Sequence, residues 1–198
     1  MKKIVLSVAI IALSTTVIVG ATRAYFSDTE TSTGNTFAAG TLDLNLDGAD
    51  TNSVKFTVTN TAPGASGTSY WTVKNVGSLA GYVDLASIAK TNDDNLCTEP
   101  ESTDGDTTCG AGQGELGANM NITIFVDADK DGVIDGGETT LYTGTLDGLA
   151  TSYDANLALA AGAEQYVSLN WSIPTTVGNV IQSDSVQLDM SFQLGQTI

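Results

Sequence analysis

The chain has 198 residues, 23 acidic against 7 basic, a formal net charge of −16 and no histidine. Nucleic acid is excluded as a partner, because binding a phosphate backbone takes clustered lysine and arginine to displace counterions. The missing histidine excludes a His-Glu-x-x-His zinc site and a Ser-His-Asp triad.

At the N-terminus, Lys2 and Lys3 precede an apolar run from Ile4 to Gly20, and Thr22-Arg23-Ala24 ends in a small residue. This is the layout of a secretory signal peptide. The run is shorter than the roughly 20 residues a membrane-spanning helix needs, and Ser7, Ser14, Thr15 and Thr16 weaken it. Signal peptidase is therefore expected to cut between Ala24 and Tyr25, with membrane contact only before cleavage; an uncleaved anchor is the alternative. The product would be secreted, residing in an extracellular matrix or at the cell surface. All the acids lie beyond Ala24, where Lys55, Lys74, Lys90 and Lys130 are the only bases. Such a surface favours solubility and attracts divalent cations. Residues 25–40 form a separate leading segment, and 41–198 suffice for one domain with its own core.

Within that domain, alternation of period two dominates. Leu42, Leu44 and Leu46 share one face; Val54, Phe56 and Val58 another; Ile122, Ile124 and Val126 a third. Later, Val167, Leu169, Trp171 and Ile173 line one strand, and Val186, Leu188, Met190, Phe192 and Leu194 line the last. Each is the mark of a half-buried strand, punctuated by turns such as Pro63-Gly64-Ala65-Ser66-Gly67. Short helical turns are expected at Leu79–Lys90 and Tyr153–Ala163. Trp71 and Trp171 fall in alternating patterns and are expected in the core. Strands with one apolar face must pack sheet on sheet, so the fold class is all-β, a two-sheet sandwich. Periodicity leaves jelly-roll and immunoglobulin-like orders equally open.

Cys97 and Cys109 are the only cysteines. In an exported chain they point to one structural disulfide, pinning a polar insertion, Asn92 to Gly114, expected to be a surface loop. Asn121-Ile122-Thr123 and Asn170-Trp171-Ser172 have the form of glycosylation sequons.

The segment Asp127-Ala128-Asp129-Lys130-Asp131-Gly132-Val133-Ile134-Asp135-Gly136-Gly137-Glu138 fits a twelve-position calcium loop. Asp127, Asp129, Asp131, Asp135 and Glu138 occupy the carboxylate positions, Gly132 the sharp turn, and Val133 can offer its carbonyl. Five carboxylates in one turn repel one another, and a calcium ion taking six to eight oxygens relieves them. The flanks read as strands, so this is not an EF-hand; an ion would clamp a connection between strands. Extracellular modules bind calcium with dissociation constants on the order of 10⁻⁴ M, so about 1 mM would add roughly 1.4 kcal/mol.

Tyr25-Phe26-Ser27-Asp28-Thr29-Glu30-Thr31 and Gly34-Asn35-Thr36-Phe37-Ala38-Ala39-Gly40-Thr41-Leu42-Asp43-Leu44 resemble the start of mature TasA/camelysin-type proteins, secreted fibre subunits of biofilms. The similarity is strongest over Gly20–Leu46 and returns at Pro63-Gly64, Asn75-Val76-Gly77-Ser78, Glu115-Leu116 and Leu141–Leu146. It implies a jelly-roll-like sandwich with an extended N-terminal donor-type strand that completes the next subunit. Here that maps onto Tyr25 to Phe37, with Phe26 and Phe37 filling grooves and Ala38-Ala39-Gly40 as hinge. Head-to-tail donation that does not close yields a homopolymer. The implied function is a structural subunit of an extracellular fibre; stabilisation by calcium is expected from the 127–138 residues alone, and the absence of catalysis from the missing histidine. The alternative is a monomeric, calcium-stabilised cell-surface adhesin or envelope accessory protein. A camelysin-like secreted peptidase is the third reading, since camelysins are classed as metallopeptidases, but a chain without histidine departs from that label.

Overall fold

The computed structural model describes residues 40–48 and 53–196. The leader, the bond between Ala24 and Tyr25, and Tyr25, Phe26 and Phe37 of the expected donor segment lie outside the described residues. In chain order the strands are β1 (Leu44–Leu46), β2 (Ser53–Thr59), β3 (Ser66–Asn75), β4 (Gly81–Asp94), β5 (Asn121–Val126), β6 (Thr139–Thr145), β7 (Tyr153–Leu159), β8 (Glu164–Ser172) and β9 (Asp184–Gly195). Two short helices, α1 (Glu99–Asp104) and α2 (Leu116–Asn119), separate β4 from β5, and a 3-10 turn, Asn179–Ile181, precedes β9.

The strands form two antiparallel sheets, ordered β1-β3-β8-β5-β6 and β2-β9-β4-β7. Counting β2 as the first of eight, the sheets read 1-8-3-6 and 2-7-4-5. That is the jelly-roll order, two Greek keys wound into a sandwich. The pairing of β2 with β9 along its whole length, from Ser53 opposite Ser191 to Thr59 opposite Ser185, decides against an immunoglobulin-like order. β1 is an addition to the edge beside β3.

Alternation places the core where the sequence pattern points. Val186, Leu188, Met190 and Phe192 of β9 are at most 1% exposed. They face Trp71, Val73, Val167, Leu169, Ile122 and Ile124 of the other sheet, all in the same buried cluster. Burying each such side chain is worth about 1.5–3 kcal/mol. The two tryptophans both join it. Trp71 lies 6.4 Å from Phe192 across the sandwich, and Trp171, only partly buried, meets Phe56 edge-on at 6.5 Å.

Two stretches differ from the sequence expectation. Leu79–Lys90 holds no helical turn but most of β4. Its register against β9 shifts between Leu85 and Ser87, so the buried positions run Val83, Leu85, then Ile88. One inserted residue breaks the period of two and imitates a helical spacing. Tyr153–Ala163 likewise holds β7, an edge strand whose alanines carry little strand preference. The Asn92–Gly114 insertion is also more than a surface loop. β4 runs on to Asp94, α1 follows, Asp94 and Gly110 exchange backbone hydrogen bonds, and Glu101 is fully buried. Cys97 and Cys109 are bonded across it, with Cα atoms 5.5 Å apart.

Where the described chain begins, Thr41 to Asp43 are stitched to the β3–β4 turn. The Thr41 carbonyl accepts from the amides of Ser78 and Leu79, the Thr41 amide donates to Ser78 Oγ at 2.9 Å, and the Asp43 carbonyl accepts from Val76. Gly40 sits against Leu79, whose side chain a Cβ would strike.

Candidate metal centre

The 127–138 loop joins β5 to β6, two antiparallel strands, so its flanks are extended. It does not project from the end of the sandwich. It folds back over the outer face of β8 and β3, and four contacts hold it there. Asp127, 1% exposed, accepts from Ser168 Oγ at 2.7 Å through its Oδ2. Asn170 Nδ2 donates to the Gly132 carbonyl at 2.9 Å, while its Oδ1 accepts from Thr68 Oγ1 at 2.8 Å. The Lys130 ammonium lies 4.7 Å from the centre of the Tyr70 ring and 4.3 Å from that of Tyr166. This aromatic clamp draws the loop's one positive charge onto two rings.

Inside the loop, backbone amides arrange the carboxylates. Asp127 Oδ2 also accepts from Gly132 N at 3.0 Å, and Asp129 Oδ1 from Asp131 N at 3.3 Å. Asp131 Oδ1 accepts from Val133 N at 2.7 Å. Glu138 reaches back across the loop, its Oε1 taking Ala128 N at 2.7 Å and its Oε2 taking Asp135 N at 3.3 Å. Gly132 has φ +74, and a Cβ there would press on Thr68 at 3.3 Å, so glycine is required both by conformation and by the closeness of β3. Lys130 adopts φ 64, which the turn imposes on a residue with a side chain.

Oxygens of Asp127, Asp129 and Asp131 lie within 4.8 Å of one another. Asp127 Oδ1 is buried with no hydrogen-bond partner. Burial pushes the Asp127 carboxyl upward, but hydrogen bonds from Ser168 and from the amides of Gly132, Lys130 and Asp131 outweigh it and hold it below the usual carboxylate range. Asp135 is pushed the other way, first by the charge of Glu138, then by desolvation, then by Asp129, Asp131 and Asp127. The charges of the other four loop carboxylates thus all bear on Asp135. An anionic, oxygen-only donor set with a buried orphan oxygen at its base suits a hard divalent cation. Val133 lies in the same turn with its side chain exposed.

Sequence spacing brings the acidic residues together because they are local. It gives no sign of Ser168, Asn170, Thr68, Tyr70 or Tyr166, which occupy outward positions of distant strands and read as ordinary solvent-facing residues. The same geometry bears on one sequon: the Asn170 amide nitrogen, which a glycan would need, is engaged by Gly132.

A recess of about 530 Å³ elsewhere is lined by residues including Lys90, Asn92, Asp93 and Asp147. Lys90 is not available there as a nucleophile, since its ammonium donates to the carbonyls of Leu146, Asp147 and Leu149 at 3.3, 2.7 and 2.6 Å. Among the described residues no helix is long and apolar enough to cross a membrane. A family model described as camelysin metallo-endopeptidase matches residues 1–197. Comparison with curated proteins finds no match.

Proposed function

Because this chain belongs to the camelysin metallo-endopeptidase family, whose members are cell-surface or secreted proteins, we propose that it is a secreted structural subunit of an extracellular fibre. In this reading it polymerises by donating residues 25–40 to the next subunit, and calcium bound by Asp127, Asp129, Asp131, Val133, Asp135 and Glu138 steadies the fold. The observation that carries the polymerisation is the edge of β3. β1 pairs only with Val73, Lys74 and Asn75. Asp47 then ends that pairing, its amide donating to the Thr72 carbonyl and its Oδ1 accepting from the Thr72 amide. From Ser66 to Trp71 the outer edge of β3 has no strand beside it among the described residues. Unpaired N–H and C=O groups along such an edge are a template for an added strand. Thr41, the residue directly after the segment to be donated, is hydrogen-bonded to Ser78 and Leu79 of its own fold.

The family description names an endopeptidase. The reading here is non-catalytic: a chain without histidine has no zinc-binding His-Glu-x-x-His helix, and its clustered carboxylates suit calcium. An azocasein assay of the purified protein, with zinc or calcium added, is expected to show no turnover; zinc-dependent cleavage would overturn that part.

Electron microscopy tests the assembly. Protein beginning at Tyr25 is expected to form filaments of regular repeat, and a chain lacking residues 25–40 to stay monomeric while remaining folded. Monomers from both, at high concentration and with calcium present, would refute donation and favour the adhesin-like alternative.

A further inference from the structure

At one end of the sandwich, where β4 stops and β9 starts, Asp94 and Asp184 stand directly opposite each other in the ladder, each 1% exposed. Like charges in that position repel, and both are buried away from bulk solvent. Glu101 of α1, 0% exposed, adds a third oxygen, and the three carboxylates offer oxygens within 4.8 Å of one another. Asp106 and Glu115 adjoin them: the Thr108 hydroxyl lies 3.0 Å from both Asp106 Oδ1 and Glu115 Oε1, and the Glu115 amide donates to Asp184.

Donors are too few for these acceptors. Asp184 Oδ2 takes the amides of Glu115 and Leu116 at 2.7 and 2.8 Å, but its Oδ1 is buried without a partner. Asp106 Oδ2 and Glu115 Oε2 are in the same condition. Asp94 Oδ1 accepts the Leu96 amide at 2.9 Å, whereas its Oδ2 faces only the Cys97 sulfur at 3.8 Å, which in a disulfide has no proton to give. Ser183 has one hydroxyl proton for three acceptors, Leu96 O at 2.7 Å, Asp94 Oδ1 at 3.2 Å and Glu101 Oε1 at 3.3 Å. The described ammonium groups are all engaged elsewhere: Lys74 beside Glu164, Lys90 on its three carbonyls, Lys130 on its two tyrosines.

We infer that Asp94, Glu101 and Asp184, with Asp106 and Glu115 beside them, hold a second divalent cation of the calcium class, separate from the 127–138 loop. Buried carboxylates with orphan oxygens and no cationic side chain are stable when a hard ion supplies the missing charge. The ion would join the start of β9 to α1 and the end of β4, welding the disulfide-bonded insertion to the sandwich. It does not depend on the loop site or on polymerisation.

The test is calcium stoichiometry by equilibrium dialysis at pH 8, on chain from Tyr25 stripped with EDTA. Wild type is expected to bind two ions per chain. Asp184→Asn and the loop double variant Asp129→Asn/Asp131→Asn should each bind one, and their combination none. The loop variant leaves the second cluster untouched, so it decides the matter even if Asp184→Asn fails to fold. One ion in wild type, retained by Asp184→Asn and lost in the loop variant, would overturn the inference and leave the loop site standing. One ion lost in Asp184→Asn and kept in the loop variant would do the reverse. Zero bound in the loop variant overturns it in every case.

Discussion

Ser168→Ala tests whether the seat on β8 governs the candidate metal loop. Ser168 is 0% exposed and donates to Asp127 Oδ2 at 2.7 Å, a short bond to an anion. Removing the hydroxyl creates almost no cavity, so the effect isolates the bond. Hydrogen bonds to charged groups contribute about 1.5–3 kcal/mol, and Asp127 keeps its backbone amide donors, Gly132 among them. A loss of about 2 kcal/mol is therefore expected in EDTA. For a domain of this size that lowers Tm by roughly 4–8 °C. Urea unfolding followed by tryptophan fluorescence reads it, since Trp71 is buried against Phe192. A pH series adds a second criterion. The Asp127 carboxyl is held below its ordinary value, so its stabilisation is present above the unfolded value near 3.9 and is lost as pH falls through the folded one. Ser168→Ala should lose less on acidification than wild type. In an Asp127→Asn background the same change should cost about 1 kcal/mol or less, the worth of a neutral bond. A loss below about 0.5 kcal/mol in the wild-type background, or an equal loss in both, would refute the reasoning.

Three further outcomes follow from the same structure. Calcium at about 1 mM should raise the wild-type Tm by several degrees, and Asp131→Asn should lose the loop's share, roughly 1.4 kcal/mol or about 3–5 °C, in differential scanning calorimetry. Asp184, pushed up to about 6 chiefly by burial, is more easily kept protonated in the folded chain than unfolded, so metal-free protein should lose stability as pH rises from about 4 to 6. That loss is on the order of 2 kcal/mol; Asp184→Asn should flatten it, and an unchanged pH profile in EDTA would contradict the raised titration of Asp184. Replacing Cys97 and Cys109 by serine opens a loop of sequence separation 12 and should cost about 3 kcal/mol in the chain-entropy model, read from chemical denaturation against wild type.

What the chain's sequence determined by itself is whatever depends on neighbours a few residues away. Alternation along Val186–Leu194 and Val167–Ile173 specifies strands with one buried face, because successive side chains of an extended chain point to opposite sides. The candidate ligand positions of Asp127–Glu138 are local in the same way, since they lie within twelve consecutive residues. The tertiary structure decided the rest. Whether the sandwich is a jelly roll turns on β2 meeting β9 more than 120 positions later, and no local pattern encodes which distant edges pair. The bulge in β4 breaks the only periodicity that could have marked it as a strand. Ser168 and Asn170 become anchors for the loop, and Asp94, Glu101 and Asp184 become one buried cluster, only when register sets them side by side. The physical reason is common to all of these: spacing along a chain sets side-chain direction, whereas proximity between distant segments is set by packing of the whole core.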